Sequence, residues 1–188
     1  MKHRAIWLAV PLLISTAPAF AHPGHGVATG FIAGVVHPLT GLDHLLAMVM
    51  VGLWAGTAFP RHWWLCPLAF MAFMAGGFAY GAAGGELPIA EALILASLAG
   101  LGIALAFQIR PPLALGAALV ALFAIGHGFA HGIELRGHDA SAFVSGFLLT
   151  TGLLHAIGLA LSLGLRHRTD RMVGTTAVVT ALAMMWSA

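Results

Sequence analysis

Leu113-Ala-Leu-Gly-Ala-Ala-Leu-Val-Ala-Leu-Phe-Ala-Ile-Gly-His127-Gly-Phe-Ala-His131-Gly-Ile-Glu134 holds only apolar residues and glycine up to Gly126, then sets three metal-ligand side chains at helical spacing. A helix needs about 20 apolar residues to cross ~30 Å of hydrocarbon, and Leu113–Ala130 comes close to that length. Imidazoles in such a run are costly to bury and face a partner, a cavity or an ion path. A second stretch, His37-Pro-Leu-Thr-Gly-Leu-Asp43-His44, repeats the theme inside another apolar segment. Transition-metal chemistry within a bilayer is the leading idea.

The composition agrees. Hydrophobic residues make up 60% of the 188 and charged residues 7%, with a mean hydropathy of +0.97; soluble domains carry about 25% charged residues. This is the signature of an integral membrane protein. Cys66 is the single cysteine, so an internal disulfide and a cysteine-rich zinc site are both excluded. No basic stripe with interleaved aromatics points to nucleic acid. Lys2 is the lone lysine, which leaves no P-loop for ATP hydrolysis.

Residues 1–21 read as a signal peptide, with Lys2 and Arg4 ahead of an apolar core and Ala19-Phe20-Ala21 as the cleavage site. Residues 22–188 then form one transmembrane domain, an all-α polytopic helix bundle. Six apolar segments follow, near Phe31–Ala58, Trp64–Ala83, Pro88–Phe107, Leu113–Ala130, Ala142–Leu165 and Met172–Trp186. Pro38 and Gly41 predict an interruption of the first span at the His-Pro motif. Cleavage after Ala21 places the mature amino terminus outside. Alternating loops then put Arg61, Arg110, Arg166, Arg168 and Arg171 on the cytoplasmic side and Arg136 alone outside, as the positive-inside rule requires. Glycines recur at four-residue spacing, Gly77/Gly81 and Gly128/Gly132 among them, and let helix backbones approach closely. For Gly126, Gly128 and Gly132, clearance around a buried site is an equally good reading.

On this topology His127 and His131 lie ~21 and ~27 Å along the fourth segment, in its outer third. They are i, i+4 and share a face, with Glu134 one further turn outward. Asp43 and His44 begin a helix descending from the same level, and Glu91 enters the third segment there. His37, Asp43, His44, His127 and His131 form the central candidate ligand set, with Glu91 and Glu134 beside it. Nitrogen with carboxylate oxygen suits nickel, cobalt, zinc, copper or iron. His155, behind Thr150 and Thr151, reads either as a second, deeper station or as a structural histidine. His22 and His25 read as a capture site outside or as a solvated terminus. Met48 and Cys66 read as packing.

At these residues the chain resembles the HupE/UreJ family of hydrogenase- and urease-associated nickel permeases. His37-Pro38, Gly41, Asp43-His44 and Ala47-Met48 are similar to its first-helix signature. His127-Gly128, Ala130-His131-Gly132 and Glu134 are similar to its second. Leu87-Pro88 with Glu91 resembles the start of its third helix, and Gly146-Phe147, Thr151, Leu154-His155 and Gly158 its fifth. The resemblance implies a cleaved signal peptide, six spans and import of nickel, in some members cobalt, across the bacterial cytoplasmic membrane. It implies a transported ion and no tightly bound cofactor, with a cytoplasmic metallochaperone as a further partner. Oligomeric state is open. Other readings of the same residues are an intramembrane zinc-dependent hydrolase, with His44, His127 and His131 on zinc and Asp43 or Glu134 as base, a haem protein with paired axial histidines, and a nickel receptor that does not transport.

Overall fold

The computed structural model describes residues 30–136, 140–164 and 167–187. The signal-peptide reading, His22, His25, His138 and Arg166 lie outside the described residues. Seven α-helices and no strands are found among the described residues. They are α1 (Phe31–Val36), α2 (Leu42–Ala58), α3 (Leu65–Ala82), α4 (Ala90–Ala106), α5 (Leu113–Glu134), α6 (Ser141–Gly164) and α7 (His167–Ser187). A 3-10 turn, His37–Leu39, joins α1 to α2, and the two arms meet at 85°. Helices α3, α5 and α6 are long and apolar enough to cross a membrane, α1–α2 would add a fourth if counted as one span, and α4 and α7 contain shorter apolar stretches.

The apolar periodicity stops at Ala130, yet α5 runs one turn further, through His131 to Glu134. Hydrocarbon offers no water to satisfy a frayed backbone, so the helix continues wherever its polar side chains can turn inward. His131 does so and is 4% exposed.

Backbone fits against backbone in three helix pairs. A Cβ at Gly128 would strike the Met74 carbonyl and one at Gly132 the Phe78 carbonyl, while Gly77 and Gly81 face the carbonyls of Ile125 and Phe129 in return. Helices α3 and α5 are thereby locked in register. The same reciprocity joins α2 to α6, where Gly52 faces the His155 carbonyl and Gly158 the Val49 carbonyl, and α4 to α7 through Gly102 and Gly174. Lipid supplies no hydrophobic drive between helices, so this close approach is the main source of cohesion. Gly126 lies against Ala90 and Leu93 of α4. All three glycines around the histidines therefore serve packing, and the site-clearance reading is set aside.

The break between α1 and α2 is chemically completed. Pro38 brings no N–H. The Thr150 hydroxyl of α6 donates to the Val35 carbonyl at 2.8 Å, and the Thr40 hydroxyl donates to the His37 carbonyl at 2.7 Å. Other helices and short hydroxyl side chains are the usual means of satisfying a broken helix at membrane depth.

Polar and apolar surfaces are inverted relative to a soluble protein. Leu68, Phe73, Leu115, Leu149, Leu153 and Ile157 are each about half exposed, whereas His127, His155, Ser97 and Thr151 are buried. Cys66 and Met48 belong to the apolar core beside Trp54, Phe70 and Met74. At the end remote from the histidines, the Trp54 indole donates to the Ile109 carbonyl at 3.0 Å, tying α2 to the loop before α5.

Candidate metal site

The ligand-type side chains gather where α2 and α6 begin and α3 and α5 finish. His37, on the 3-10 turn, points at the last turn of α5. Its Nε2 lies 2.9 Å from His131 Nδ1. Glu134 Oε2 lies 3.7 Å from His37 Nε2 and 3.6 Å from His131 Nδ1. One ligand atom from each of these three residues falls within 4.8 Å of the other two. An ion drawing them in would have two imidazole nitrogens and one carboxylate oxygen. The side chains of His37 and Glu134 are 31% and 43% exposed, so this triad forms the mouth.

A second set lies beneath. The His44 ring is 4.7 Å from the His131 ring and 4.8 Å from the His127 ring, which it meets at a right angle. Asp43 Oδ1 accepts the His44 backbone N–H at 2.8 Å and the His44 Nδ1 proton at 3.0 Å. A carboxylate only accepts, so neutral His44 carries its proton on Nδ1 and leaves Nε2 as a lone pair. That Nε2 is buried and has no hydrogen-bond partner; the same holds for His127 Nδ1 and His131 Nε2. Buried polar atoms in native proteins are normally satisfied. Three unpartnered imidazole nitrogens on adjoining rings make up a donor set that could hold a cation.

His155 sits deeper on α6, 2% exposed, with both ring nitrogens unpartnered. The Phe70 ring of α3 separates it from the upper set, lying 5.7 Å from the His127 ring and 5.2 Å from the His155 ring. The Thr151 hydroxyl is also buried and unpartnered. Thr150 is committed to the α1 break instead.

The structure thus redistributes the residues expected from sequence. His37, His131 and Glu134 come together as a compact triad. His44 and His127 adjoin it through ring contacts. Asp43 faces its own neighbour's imidazole. Glu91 is exposed at the start of α4, outside the compact group. Ser97 was not anticipated. Its hydroxyl lies 2.9 Å from His127 Nε2 and donates to the Ile94 carbonyl at 2.6 Å. Its sequence signal was faint but present: Ser97 is the only side chain able to hydrogen-bond strongly between Glu91 and Gln108.

Comparison with known proteins adds an independent line. Residues 10–186 match the family described as HupE / UreJ protein. The chain is 41% identical over 163 residues to Protein HupE of Rhizobium leguminosarum bv. viciae, covering 86% of this chain and 85% of that one. No solved structure matches it.

Proposed function

The chain belongs to the HupE/UreJ family, and from that premise we propose that it is a permease importing nickel, or cobalt, from the periplasm to the cytoplasm to supply metalloenzymes such as hydrogenase or urease. The observation that carries this reading is the compact triad His37, His131 and Glu134 at one end of a multi-pass helical bundle, backed by buried imidazole nitrogens that nothing else engages. Six spans are counted in this reading: α1–α2 as one broken span, then α3, α4, α5, α6 and α7. Residues 1–21 are a cleaved signal peptide, and the triad faces the periplasm in the cytoplasmic membrane.

A hydrated divalent ion, captured outside with the help of His22 and His25, reaches the mouth and exchanges water for His37, His131 and Glu134. It then steps to the nitrogens of His131, His44 and His127. Asp43 acts here through His44, fixing its tautomer and raising its basicity, as carboxylates behind metal-bound histidines do. The ion passes Phe70 to His155 and leaves toward the cytoplasm, where a metallochaperone receives it. Glu91 contributes at most long-range attraction, since it lies outside the compact group. The membrane potential suffices as a driving force. A divalent cation gains about 4.6 kcal/mol per 100 mV, which supports roughly a thousandfold accumulation.

No specific observation favours the hydrolase reading. It needs a free carboxylate as base beside His44, His127 and His131, whereas Asp43 accepts from the His44 backbone and ring and Glu134 sits against His37 and His131 Nδ1 at the mouth.

The test is radiotracer nickel and cobalt uptake into sealed proteoliposomes with an imposed potential, negative inside. Uptake by the parent and its loss in His131→Ala support the proposal. A parent protein that binds nickel without transporting it makes the chain a receptor and sinks the permease assignment.

A further inference from the structure

We propose that Ser97 is a positioning residue for the inner cation site, holding His127 in the tautomer that presents Nδ1 as a bare lone pair beside His44. The inference rests on the permease reading for what the lone pair is used for, but not for the tautomer itself.

The argument is one of proton accounting. The Ser97 hydroxyl has a single hydrogen and gives it to the Ile94 carbonyl at 2.6 Å. Its oxygen can then only accept from His127 Nε2 at 2.9 Å, so Nε2 carries the imidazole proton and Nδ1 carries none. The reverse assignment puts the proton on Nδ1, and that atom is buried without any acceptor. A buried N–H left without an acceptor is costly, since it has given up water for nothing in return. The arrangement chosen by the structure leaves Nδ1 unpartnered too, but as a lone pair, which a cation satisfies.

His44 reaches the same condition by a different route. Asp43 holds its proton on Nδ1, freeing Nε2. Two rings at right angles, 4.8 Å apart, thus each have one nitrogen anchored outward and the other unengaged. Asp43 anchors one from its own helix. Ser97 anchors the other from α4, an element that supplies no ligand to the compact triad. Helix α4 therefore enters the metal chemistry by steering a ligand that α5 provides.

The experiment uses the full-length protein in lipid nanodiscs with its histidine rings labelled with nitrogen-15. Ring nitrogen shifts of metal-free His127, assigned by comparison with His127→Gln, report which nitrogen is protonated. The expected result is protonated Nε2 and bare Nδ1 in the parent, and a mixture of both neutral tautomers in Ser97→Ala. Nickel titrated into the same samples by calorimetry should bind Ser97→Ala roughly 10–100-fold more weakly, the usual effect of removing a group behind a metal-bound histidine. A parent His127 protonated on Nδ1 overturns the proposal, and so does Ser97→Ala binding nickel within about twofold of the parent. Should Ser97→Ala not fold, the parent spectrum alone decides. Failure of nickel transport in the parent, with the expected tautomer present, counts against the permease reading and leaves the role of Ser97 intact.

Discussion

His37 Nε2 lies 2.9 Å from His131 Nδ1 although 94 positions separate the two residues. The contact exists because two packing events coincide. Helix α1 lies on α6, with Gly34 against the Phe143 carbonyl and Gly146 against the Phe31 carbonyl. The rings of Phe143 and Phe147, also on α6, then bracket the imidazoles: Phe143 is 5.3 Å from His37 and Phe147 is 4.7 Å from His131. His37, on a broken helix, is thus positioned by a third helix that lies outside the triad.

Glu134→Gln keeps the size of the side chain and removes its charge. At the mouth, that charge lies 3.7 Å from His37 Nε2 and 3.6 Å from His131 Nδ1, where the proposed ion would enter. The nickel concentration giving half-maximal uptake should rise at least tenfold, about 1.4 kcal/mol. The maximal rate should fall less. Initial rates across a nickel series check this, and an unchanged half-saturation concentration would remove Glu134 from the entry step.

Thr150→Val retains the shape and loses the hydroxyl. The Val35 carbonyl then loses its donor from α6, and losing that half-buried hydrogen bond should cost about 1 kcal/mol. Thermal unfolding in detergent should show that loss. Nickel affinity should fall as well, because His37 is two residues beyond Val35. Destabilisation with unchanged nickel binding would mean that the break does not position His37.

Two glycines of the packed α3–α5 pair, one exposed and one buried, should respond with opposite sign. Gly128→Ala drives a Cβ into the Met74 backbone, a clash that only helix displacement relieves; a loss of about 1–3 kcal/mol is expected from such overpacking. Gly76→Ala meets nothing within 4 Å and should gain about 0.5–1 kcal/mol from helix propensity. Unfolding midpoints of the two variants decide the matter.

Proton competition sets the pH dependence. An imidazole binds a cation only when neutral, so metal capture releases or excludes protons. Nickel binding should weaken as pH falls, markedly below about pH 6. Equal binding at about pH 5 and about pH 7.5 would argue against imidazole ligation.

The helices were legible in the sequence because run length against bilayer thickness is a strong constraint, and glycine spacing announced their close contacts. The inward turn of the imidazoles was legible for the same reason: in apolar runs they have few alternatives. Rotation was not. Glu91 and Ser97 are six residues apart on α4, about 240° around the helix, so only one can face His127; hydropathy favours the carboxylate, whereas packing selects the hydroxyl. Asp43 was expected among the ligands on identity alone. Its neighbour's ring reaches back to it, a local geometry that spacing does not encode. The extent of α5 was underestimated because a polar residue facing inward looks, in one dimension, like the end of a span.

The carbonyl-to-glycine fit between α3 and α5 has a mechanical corollary. Sliding either helix by one residue would bring a larger side chain onto a peptide oxygen, so the joint is keyed and does not slip. Phe70 rides on one member of the pair and His127 and His131 on the other. On the proposed route, motion that lets an ion past the phenyl ring must swing the two rods as one lever, or turn the ring itself while the frame stands still.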